Sequence, residues 1–264
     1  MEIKYIKDIV IIGSGNVATS LAITLHRLHY YNIIQIYSLH LEHAESLAGV
    51  IGSCYTADLA SVFTRADLYV IAVPDNQIEN VLKFMPVVQG IVVHTSGSIP
   101  LNIFKGYTEC YGVLYPLQTF SKAKVINDFS SVPIFIEAVN LWVLDVLKEF
   151  AGHLSSKVFK INTQQRLSLH VAGVFACNFV NHLLAVASGI MEENKLNKAW
   201  LNPLIRETIE KALSVENPAD VQTGPAIRHD MLTLNRHAGF LASHPAELEI
   251  YQMLSENILN NYNK

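Results

Sequence analysis

The sequence predicts an α/β fold, a doubly wound parallel sheet followed by an all-helical domain. Apolar runs of about five residues alternate with helical patterns over the first 161 residues, whereas only helical patterns follow. A glycine-rich turn comes directly after the first apolar run. Short apolar strands that alternate with helices are typical of a parallel sheet covered on both faces. We therefore expect an α/β domain over residues 1–161 and a helical domain over residues 162–264.

The predicted elements follow from hydrophobic periodicity. Strands are expected at 8–12, 33–37, 53–55, 68–73, 90–93, 109–114, 133–136 and 157–161. Helices are expected at 16–28, 41–48, 140–150, 164–191, 199–213, 230–241 and 245–259. Pro245 at the first position of the last helix and the Asn217-Pro218 pair are typical helix starts.

The composition is that of a globular protein. Of the 264 residues, 50% are hydrophobic and 16% are charged, which excludes disorder as the dominant state. The formal net charge of −4 lacks the basic excess of a nucleic-acid binder. Cys54, Cys110 and Cys177 lie far apart, so neither a disulfide framework nor a metal site is expected. We expect single buried thiols and a reducing, cytoplasmic location without a signal peptide.

The glycine-rich turn fits the pattern G-x-G-x-x-G/A. It reads Gly13-Ser14-Gly15-Asn16-Val17-Ala18 and lies between a strand and a helix. In this context the first glycine permits a tight turn, the second lets the backbone approach a pyrophosphate, and Ala18 allows close packing of helix on strand. The start of the helix offers free N–H groups to phosphates. The pattern favours a Rossmann-type dinucleotide site over a turn without a ligand.

The end of the second strand bears on the choice of dinucleotide. NAD binders usually carry an acid there, whereas this chain reads Tyr37-Ser38-Leu39-His40. Ser38 can hydrogen-bond a 2′-phosphate and His40 can add charge, but no arginine is present. NADP is therefore favoured over NAD, and an ordinary solvated loop is the alternative for Ser38 and His40.

Other polar stretches follow later strands. They begin at Val73-Pro74, at His94-Thr95-Ser96 and at Tyr115-Pro116-Leu117-Gln118. Each alone is compatible with a turn. Because ligands bind at the carboxyl ends of parallel strands, their shared location favours one long cleft. Ser96 is then expected near the reactive end of a cofactor, and Gln118 near a substrate.

The helix that begins at Gln164 carries a second group of polar residues. At about 100° per residue, His170, Cys177, Asn181 and Ser188 share one stripe. A buried polar stripe lines an interface, a water channel or a site. His170 is compatible with a structural histidine or with a proton donor to a reduced substrate.

The same helix raises the question of a membrane. Residues 171–191 contain no charged side chain and are long enough to span a bilayer. Asn178, Asn181 and His182 interrupt this run, and no second such segment exists. We therefore expect a buried central helix of a soluble domain and no membrane partner.

A dense polar stretch runs from Gln222 to Asp230 and contains a Gly-Pro turn. Asp230 is expected to cap the next helix, and Arg228 to pair with it. Alternatively, Arg228 binds a substrate carboxylate or a cofactor phosphate, to which its planar guanidinium is suited.

These motifs resemble a family of two-domain proteins regarded as NADP oxidoreductases, whose second half is a domain of unknown function. The resemblance covers essentially the whole chain. Its anchors are GSGNVA, AVPDNQI, VHTSGSIP, YGVLYPLQTFS, LHVAGVFACNFVNHL and QTGPAIRHD. The architecture is more distantly similar to pyrroline-5-carboxylate reductase and to 3-hydroxyisobutyrate and 6-phosphogluconate dehydrogenases, in which the helical domain commonly makes a dimer.

The resemblance implies a set of site residues and a homodimer through the helical domain. The cofactor residues that we expect are Gly13, Ser14, Gly15, Asn16, Val17, Ala18, Ser38, Val73 and Pro74. The substrate cleft that the resemblance implies contains Ser96, Gln118, His170, Asn178, Thr223 and Arg228. One departure is plain: the catalytic lysine of the hydroxyacid dehydrogenases has no counterpart between Gln164 and Met191.

Two functions follow as hypotheses. The first is an NADP-dependent oxidoreductase that transfers a hydride to or from a small carbonyl or imine compound. His170 would then donate a proton, Asn178 would orient the substrate, Ser96 would lie at the catalytic end, and Arg228 would bind an anionic group. The second, favoured by the missing lysine, is a module that binds NADP(H) as a sensor or an interaction partner without chemistry.

Overall fold

An eight-stranded sheet forms the centre of the first part of the chain in the computed structural model, which describes residues 5–261. The strands are β1 (Asp8–Ile12), β2 (Asn32–Tyr37), β3 (Cys54–Thr56), β4 (Leu68–Ile71), β5 (Ile91–His94), β6 (Tyr111–Pro116), β7 (Ile134–Ala138) and β8 (Val158–Lys160). Their order is β3-β2-β1-β4-β5-β6-β7-β8. The strand order reverses between β1 and β4, where doubly wound folds bind their ligands.

The sheet is parallel from β3 to β6, but β7 is antiparallel to β6, and β8 is parallel to β7. The expectation of a wholly parallel sheet is therefore wrong at this edge. A parallel neighbour needs a crossover, usually a helix. The connection over residues 117–133 forms no helix, so β7 enters the sheet from the end at which β6 leaves it.

Helices cover the sheet on both faces. They are α1 (Asn16–Arg27), α2 (Leu41–Ile51), α3 (Ile78–Phe84), which was not predicted, and α4 (Leu141–Leu154). Successive side chains of a strand point to opposite faces. Accordingly, Ile9 and Ile11 pack with α1, α2 and α4, whereas Val10 and Ile12 pack with α3. The near-continuous apolar runs of the sequence thus supply two cores.

Only helices follow β8 in the described residues. They are α5 (Thr163–Gly173), α6 (Val180–Glu193), α7 (Asn202–Leu213), α8 (Met231–Phe240) and α9 (Pro245–Asn261). The chain divides into two compact units, one up to Cys177 and one from Asn178. This division lies later than the predicted boundary at residue 161, because the first residues of α5 bond to β7 and count with the sheet.

The predicted stripe on the long helix is interrupted. Val174–Phe179 forms a π-helical turn between α5 and α6. A π-turn bonds each residue to the fifth along rather than the fourth, so it changes the direction in which later side chains point. The expectation that His170, Cys177, Asn181 and Ser188 share one face assumed an uninterrupted α-helix and is wrong.

The long helix is also not buried within a single chain. From Thr163 to Glu193 it spans 31 residues with a mean hydropathy of 1.6 in its most apolar window, none of which is buried. It is long and apolar enough to cross a membrane by length and composition alone. The expectation of a buried central helix is therefore wrong for the single chain, since the chain's own helices leave this one uncovered.

The cysteines also differ from expectation. Cys54 and Cys177 are exposed free thiols, and Cys110 is half-buried. Cys54 is exposed because β3 is an edge strand, and Cys177 because it lies on the exposed π-turn. The prediction of three buried thiols is therefore wrong.

A buried histidine ends β5. His94 is fully buried, stacks on Phe104 with ring centroids 5.4 Å apart, and accepts a hydrogen bond at Nδ1 from the backbone N–H of Ser96 at 3.2 Å. Burial and the nearby positive charge of Arg166 lower the pKa of His94 to about 3, although the Pro100 carbonyl opposes this. His94 is therefore neutral at ordinary pH, as its acceptor role requires.

Folding stability should depend on this histidine in acid. The unfolded chain binds a proton at a histidine near pH 6.5, whereas folded His94 binds it only near pH 3. The contribution of neutral His94 to the free energy of unfolding is therefore complete above pH 6.5. It is lost as the pH falls toward 3, at about 1.4 kcal/mol per pH unit. Urea unfolding between pH 6.5 and 4.5 should show a shallower slope for His94→Asn, which keeps an acceptor for Ser96. His26→Asn on the exposed face of α1 is the control, and equal slopes for both variants would contradict the prediction.

Candidate active-site cleft

A cleft of about 1130 Å³ runs along the carboxyl ends of the parallel strands. This volume exceeds the 300–1,000 Å³ or so that is typical of sites for drug-sized ligands. Every lining residue belongs to the unit that ends at Cys177. The predicted residues on its wall are Gly13, Ser14, Gly15, Asn16, Val17, Ser38, Val73, Pro74, Ser96, Gln118 and His170.

The glycine turn forms one end of the cleft and depends on close backbone contact. Gly13 has a φ of +124°, and a Cβ there would lie 2.2 Å from the Ala72 carbonyl oxygen. Only glycine fits this position. At Gly15 a Cβ would meet nothing within 4 Å, so the space above it is open to the cleft. The first glycine therefore serves the packing of β1 against β4, and the second leaves room for a ligand.

Helix α1 presents an uncapped start beside this turn. Gly15 is its N-cap, no side chain bonds to the first-turn N–H groups, and the first turn contains no acid. These conditions suit an anion at the helix N-terminus. Ala18 is fully buried and does not line the cleft. It packs the helix on the sheet, which is the role that the glycine-rich motif predicts for this position.

The loop after β5 is organised by Ser96. Its hydroxyl accepts hydrogen bonds from the N–H groups of Ser98 and Ile99, at 3.1 Å and 3.0 Å. Ser98 donates its own hydroxyl to Asp75 on the neighbouring strand-end loop. Ser96 is nearly buried, and these bonds occupy its oxygen. This geometry shows Ser96 shaping the loop that forms the cleft wall.

His170 and Tyr115 meet at the cleft wall. The Tyr115 hydroxyl lies 3.1 Å from Nδ1 of His170, and both residues line the cleft. A Cβ at Gly97 would lie 2.5 Å from the same Nδ1, so glycine is needed to admit the imidazole. Burial raises the pKa of Tyr115, partly opposed by the charge of Arg166, which keeps the phenol protonated. The pair thus offers two linked groups that exchange protons.

Arg166 fixes the helix that carries His170. Its guanidinium is 1% exposed and bonds to the Glu137 carboxylate on β7 and to the Ile99 carbonyl of the loop after β5. Thr163 adds bonds to Glu137 from its backbone N–H and its hydroxyl, both at 2.9 Å. A buried charge is tolerated when it is paired and hydrogen-bonded in this way. Helix α5 is therefore tied to the strand ends one turn before His170.

Several residues of the cleft wall were not singled out from the sequence. They are His43, Asp75, Tyr115 and Lys122. Tyr115 and Asp75 lie in the polar stretches that follow strands, from which the sequence predicted the cleft. Considering every polar side chain of those stretches would have identified both residues. Lys122 lies within the connection over residues 117–133, which forms no helix, and no periodic signal predicts its place on the cleft wall. Gln118 is on the wall, exposed, with its side-chain oxygen accepting the Thr119 N–H at 2.8 Å.

The three remaining predicted site residues lie in the unit from Asn178. Asn178 is exposed on the π-turn, and Thr223 and Arg228 are exposed on the stretch before α8. Asp230 caps α8 by accepting a hydrogen bond from the Thr233 N–H at 3.0 Å, as predicted. Hydrogen bonds from Thr233 lower the pKa of Asp230, and the charge of Arg228 lowers it further.

Two family models match the chain. Residues 8–95 match a model described as NADP oxidoreductase coenzyme F420-dependent, and residues 132–258 match a domain of unknown function, DUF2520. The first match contains the glycine turn and ends directly before Ser96. The second contains Arg166, His170 and Arg228. A search of curated proteins found no match.

A solved structure from Bacteroides fragilis, described as a "putative NADP oxidoreductase", is 40% identical to this chain. The match covers 97% of this chain and 98% of that one, with a TM-score of 0.88. The chain belongs to this NADP oxidoreductase family.

Other solved structures share the fold of this NADP oxidoreductase family member at lower sequence identity. The Thermotoga maritima protein TM1727 is 20% identical with a TM-score of 0.68, over 95% of this chain and 96% of that one. The imine reductase of Myxococcus stipitatus, solved with NADP+, is 13% identical with a TM-score of 0.63, over 97% of this chain and 92% of that one. These likenesses confirm the Rossmann-type α/β fold and the helical part that follows it.

Proposed function

We propose that this protein is an NADP(H)-dependent oxidoreductase that acts on a small carbonyl or imine compound. The observation that carries the proposal is the single cleft at the strand ends, which joins the glycine turn to the Tyr115–His170 pair. A nucleotide-binding turn and groups that move a proton thus share one cavity, as hydride transfer to a polar double bond requires.

The residues at the turn fit a dinucleotide. Gly15 faces open space, so a bound pyrophosphate can approach the backbone, and the start of α1 offers N–H groups without a competing cap. Ser38 lies at the end of β2, where no acid is present to exclude a 2′-phosphate. Its hydroxyl lies 2.7 Å from that of Ser14. These features support NADP over NAD.

His170 and Tyr115 would supply the proton. A nicotinamide ring supplies the hydride when it is bound, and the oxygen or nitrogen of the reduced double bond then needs a proton. Tyr115 is held protonated by burial and lies in hydrogen-bond contact with Nδ1 of His170. In our proposal one residue of the pair donates a proton to the substrate, and the other then reprotonates that residue. Gly97 has no side chain and so leaves room for the imidazole.

The substrate class rests on the site chemistry and on similar folds. The neighbouring solved structures include an imine reductase and pyrroline-5-carboxylate reductases, so imines are included with carbonyls. That Asn178, Thr223 and Arg228 contact the substrate stays a prediction from the family resemblance, in which the planar guanidinium of Arg228 is suited to an anionic group. Coenzyme F420 belongs among the tested partners, since the matched nucleotide-binding model names it.

A second candidate is a sensor that binds NADP(H) without chemistry. The observation in its favour is the absence of lysine from the helix Thr163–Glu193. In this case the cleft binds cofactor and no carbonyl or imine compound is reduced.

Cofactor binding is the first test. We expect saturable binding of NADPH, followed by nicotinamide fluorescence, with NADH binding more weakly. Gly15→Glu places a carboxylate in the open space above the turn and should weaken both by tenfold or more, since its φ of −73° accepts a side chain. Gly152→Glu on α4, also with open space around it, is the matched control. The proposal fails if neither nucleotide binds to the wild-type protein.

Turnover is the second test. Once a substrate is found by the loss of NADPH absorbance, His170→Ala should lower kcat by about 100-fold or more, the usual contribution of a positioned acid or base. Tyr115→Phe should lower it as well, and both variants should keep the NADPH affinity. Unchanged turnover in His170→Ala would remove this residue from the mechanism.

We also propose a homodimer through the helical part. Among the described residues from 178 on, only Ala226, Leu234 and Leu241 are buried. Leu213 and Phe240 are 81% and 58% exposed, and Leu183 on α6 is 38% exposed. So little buried apolar surface does not stabilise a folded unit, and a second copy would cover these side chains.

Light scattering on the detergent-free protein should give the mass of a dimer. Leu183→Glu should shift the mass toward that of a monomer, whereas Val87→Glu, at a site that is 89% exposed in the other unit, should leave the dimer intact. A monomeric wild type would contradict the proposal. If the protein is recovered only in the membrane fraction, lipid rather than a second copy covers the long helix.

A further inference from the structure

The connection from β2 to α2 brings two histidines to the nucleotide end of the cleft. His40 is the N-cap residue of α2, and His43 lies in its first turn. Both line the cleft, and their ring centroids are 5.3 Å apart. The Ser14–Ser38 contact and the bond from the Gly13 N–H to the Tyr37 carbonyl, 2.8 Å, join this connection to the glycine turn.

These imidazoles are the side chains of this stretch that can carry a positive charge. Residues 37–46 contain no lysine and no arginine. The N-cap side chain of α2 makes no capping hydrogen bond, so the positive end of the helix dipole faces the same region. The affinity of this region for an anionic group therefore depends on whether His40 and His43 are protonated.

Acidic groups on the surrounding elements act in the opposite direction. Glu42 and Glu45 lie on α2, and Glu45 accepts a hydrogen bond from Tyr55 of β3 at 2.9 Å.

Asp58 follows β3, and hydrogen bonds from Ser61 and Ala60 lower its pKa, so it stays charged. Burial, and then the charge of Asp58, raise the pKa of Tyr37, so this phenol stays neutral. Asp75 and Lys122 line the same cleft. With neutral histidines, the local side-chain charge beside Ser38 is negative.

We infer that His40 and His43, in their protonated form, select a cofactor with a 2′-phosphate on its adenosine ribose. The inference rests on the proposed NADP(H) function and names the residues that set its cofactor preference. Arginine keeps its charge at all working pH values, whereas histidine loses its charge near pH 6.5. A phosphate monoester gains its second negative charge near pH 6. The preference for NADP over NAD therefore declines as rising pH removes the protons from the two histidines.

The experiment measures the two oxidised cofactors, which withstand mild acid. Calorimetric titration of the full-length protein with NADP+ and with NAD+ between pH 6.0 and 8.5 gives the ratio of their Kd values. We expect the preference for NADP+ to fall about tenfold or more from pH 6.5 to 8.5, while the affinity for NAD+ changes little. NAD+ lacks the 2′-phosphate and so reports any effect of pH on the rest of the site.

Three variants assign the effect. His40→Gln with His43→Gln should give a low preference at pH 6.5 that no longer depends on pH. Leu39→Arg adds a permanent charge at a residue that is 72% exposed, and should retain the preference at pH 8.5. His26→Gln, exposed on α1 and not part of the cleft wall, should behave as the wild type. Circular dichroism confirms folding, and the wild-type profile and Leu39→Arg remain decisive if the double variant does not fold.

The outcomes separate the two proposals. A preference for NADP+ that is independent of pH, or unchanged in the double histidine variant, overturns the inference and leaves the proposed function intact. A failure of both NADP+ and NAD+ to bind at every pH overturns the proposed function and the inference with it.

Discussion

The buried guanidinium of Arg166 makes the contacts on which the half of the cleft that contains His170 depends. It joins β7, through Glu137, to the loop after β5, through the Ile99 carbonyl, and it does so from α5. Because a buried charge without partners is very costly, the three elements keep this arrangement or lose much of their stability. His170 lies one turn further along α5 and is held against Gly97 and Tyr115 as a consequence. Burial, and then the charge of the same guanidinium, lower the pKa of His94, which keeps that histidine neutral and able to accept a hydrogen bond from the Ser96 N–H.

The other half of the cleft depends on a steric constraint rather than on charge. Gly13 approaches the Ala72 carbonyl so closely that no side chain fits between β1 and β4. This approach occurs where the strand order reverses, so the loops after β1 and β4 diverge and leave a crevice. Gly15 and the uncapped start of α1 then face that crevice. Close packing and open space in the cleft are thus divided between two glycines that are only two residues apart.

Sequence patterns located the end of the cleft at the glycine turn better than the end that contains His170 and Tyr115. The glycine turn, Ser38 and the Val73-Pro74 stretch are local motifs that follow strands, and the sheet order brings them together. Tyr115 became visible as the partner of His170 only in three dimensions, since the two residues lie 55 positions apart in the chain. The stripe predicted on the long helix was wrong because a π-turn is not encoded in a simple period of 3.6 residues. Ser96 was correctly placed on the wall, although its hydroxyl is occupied by its own loop.

The sequence by itself determined the alternation of strands and helices, the Rossmann-type sheet, the glycine turn and the change to helices after β8. These depend on local periodicity and on turn chemistry, which neighbouring residues carry. Tertiary structure alone decided the antiparallel β7, the pairing of Arg166 with Glu137, the contact of His170 with Tyr115, and the exposure of the long apolar helix. Each depends on which distant segments meet, and hydrophobic period does not specify that. The apolar helix shows the limit most clearly, because its composition indicates burial while none of its most apolar window is buried among the described residues.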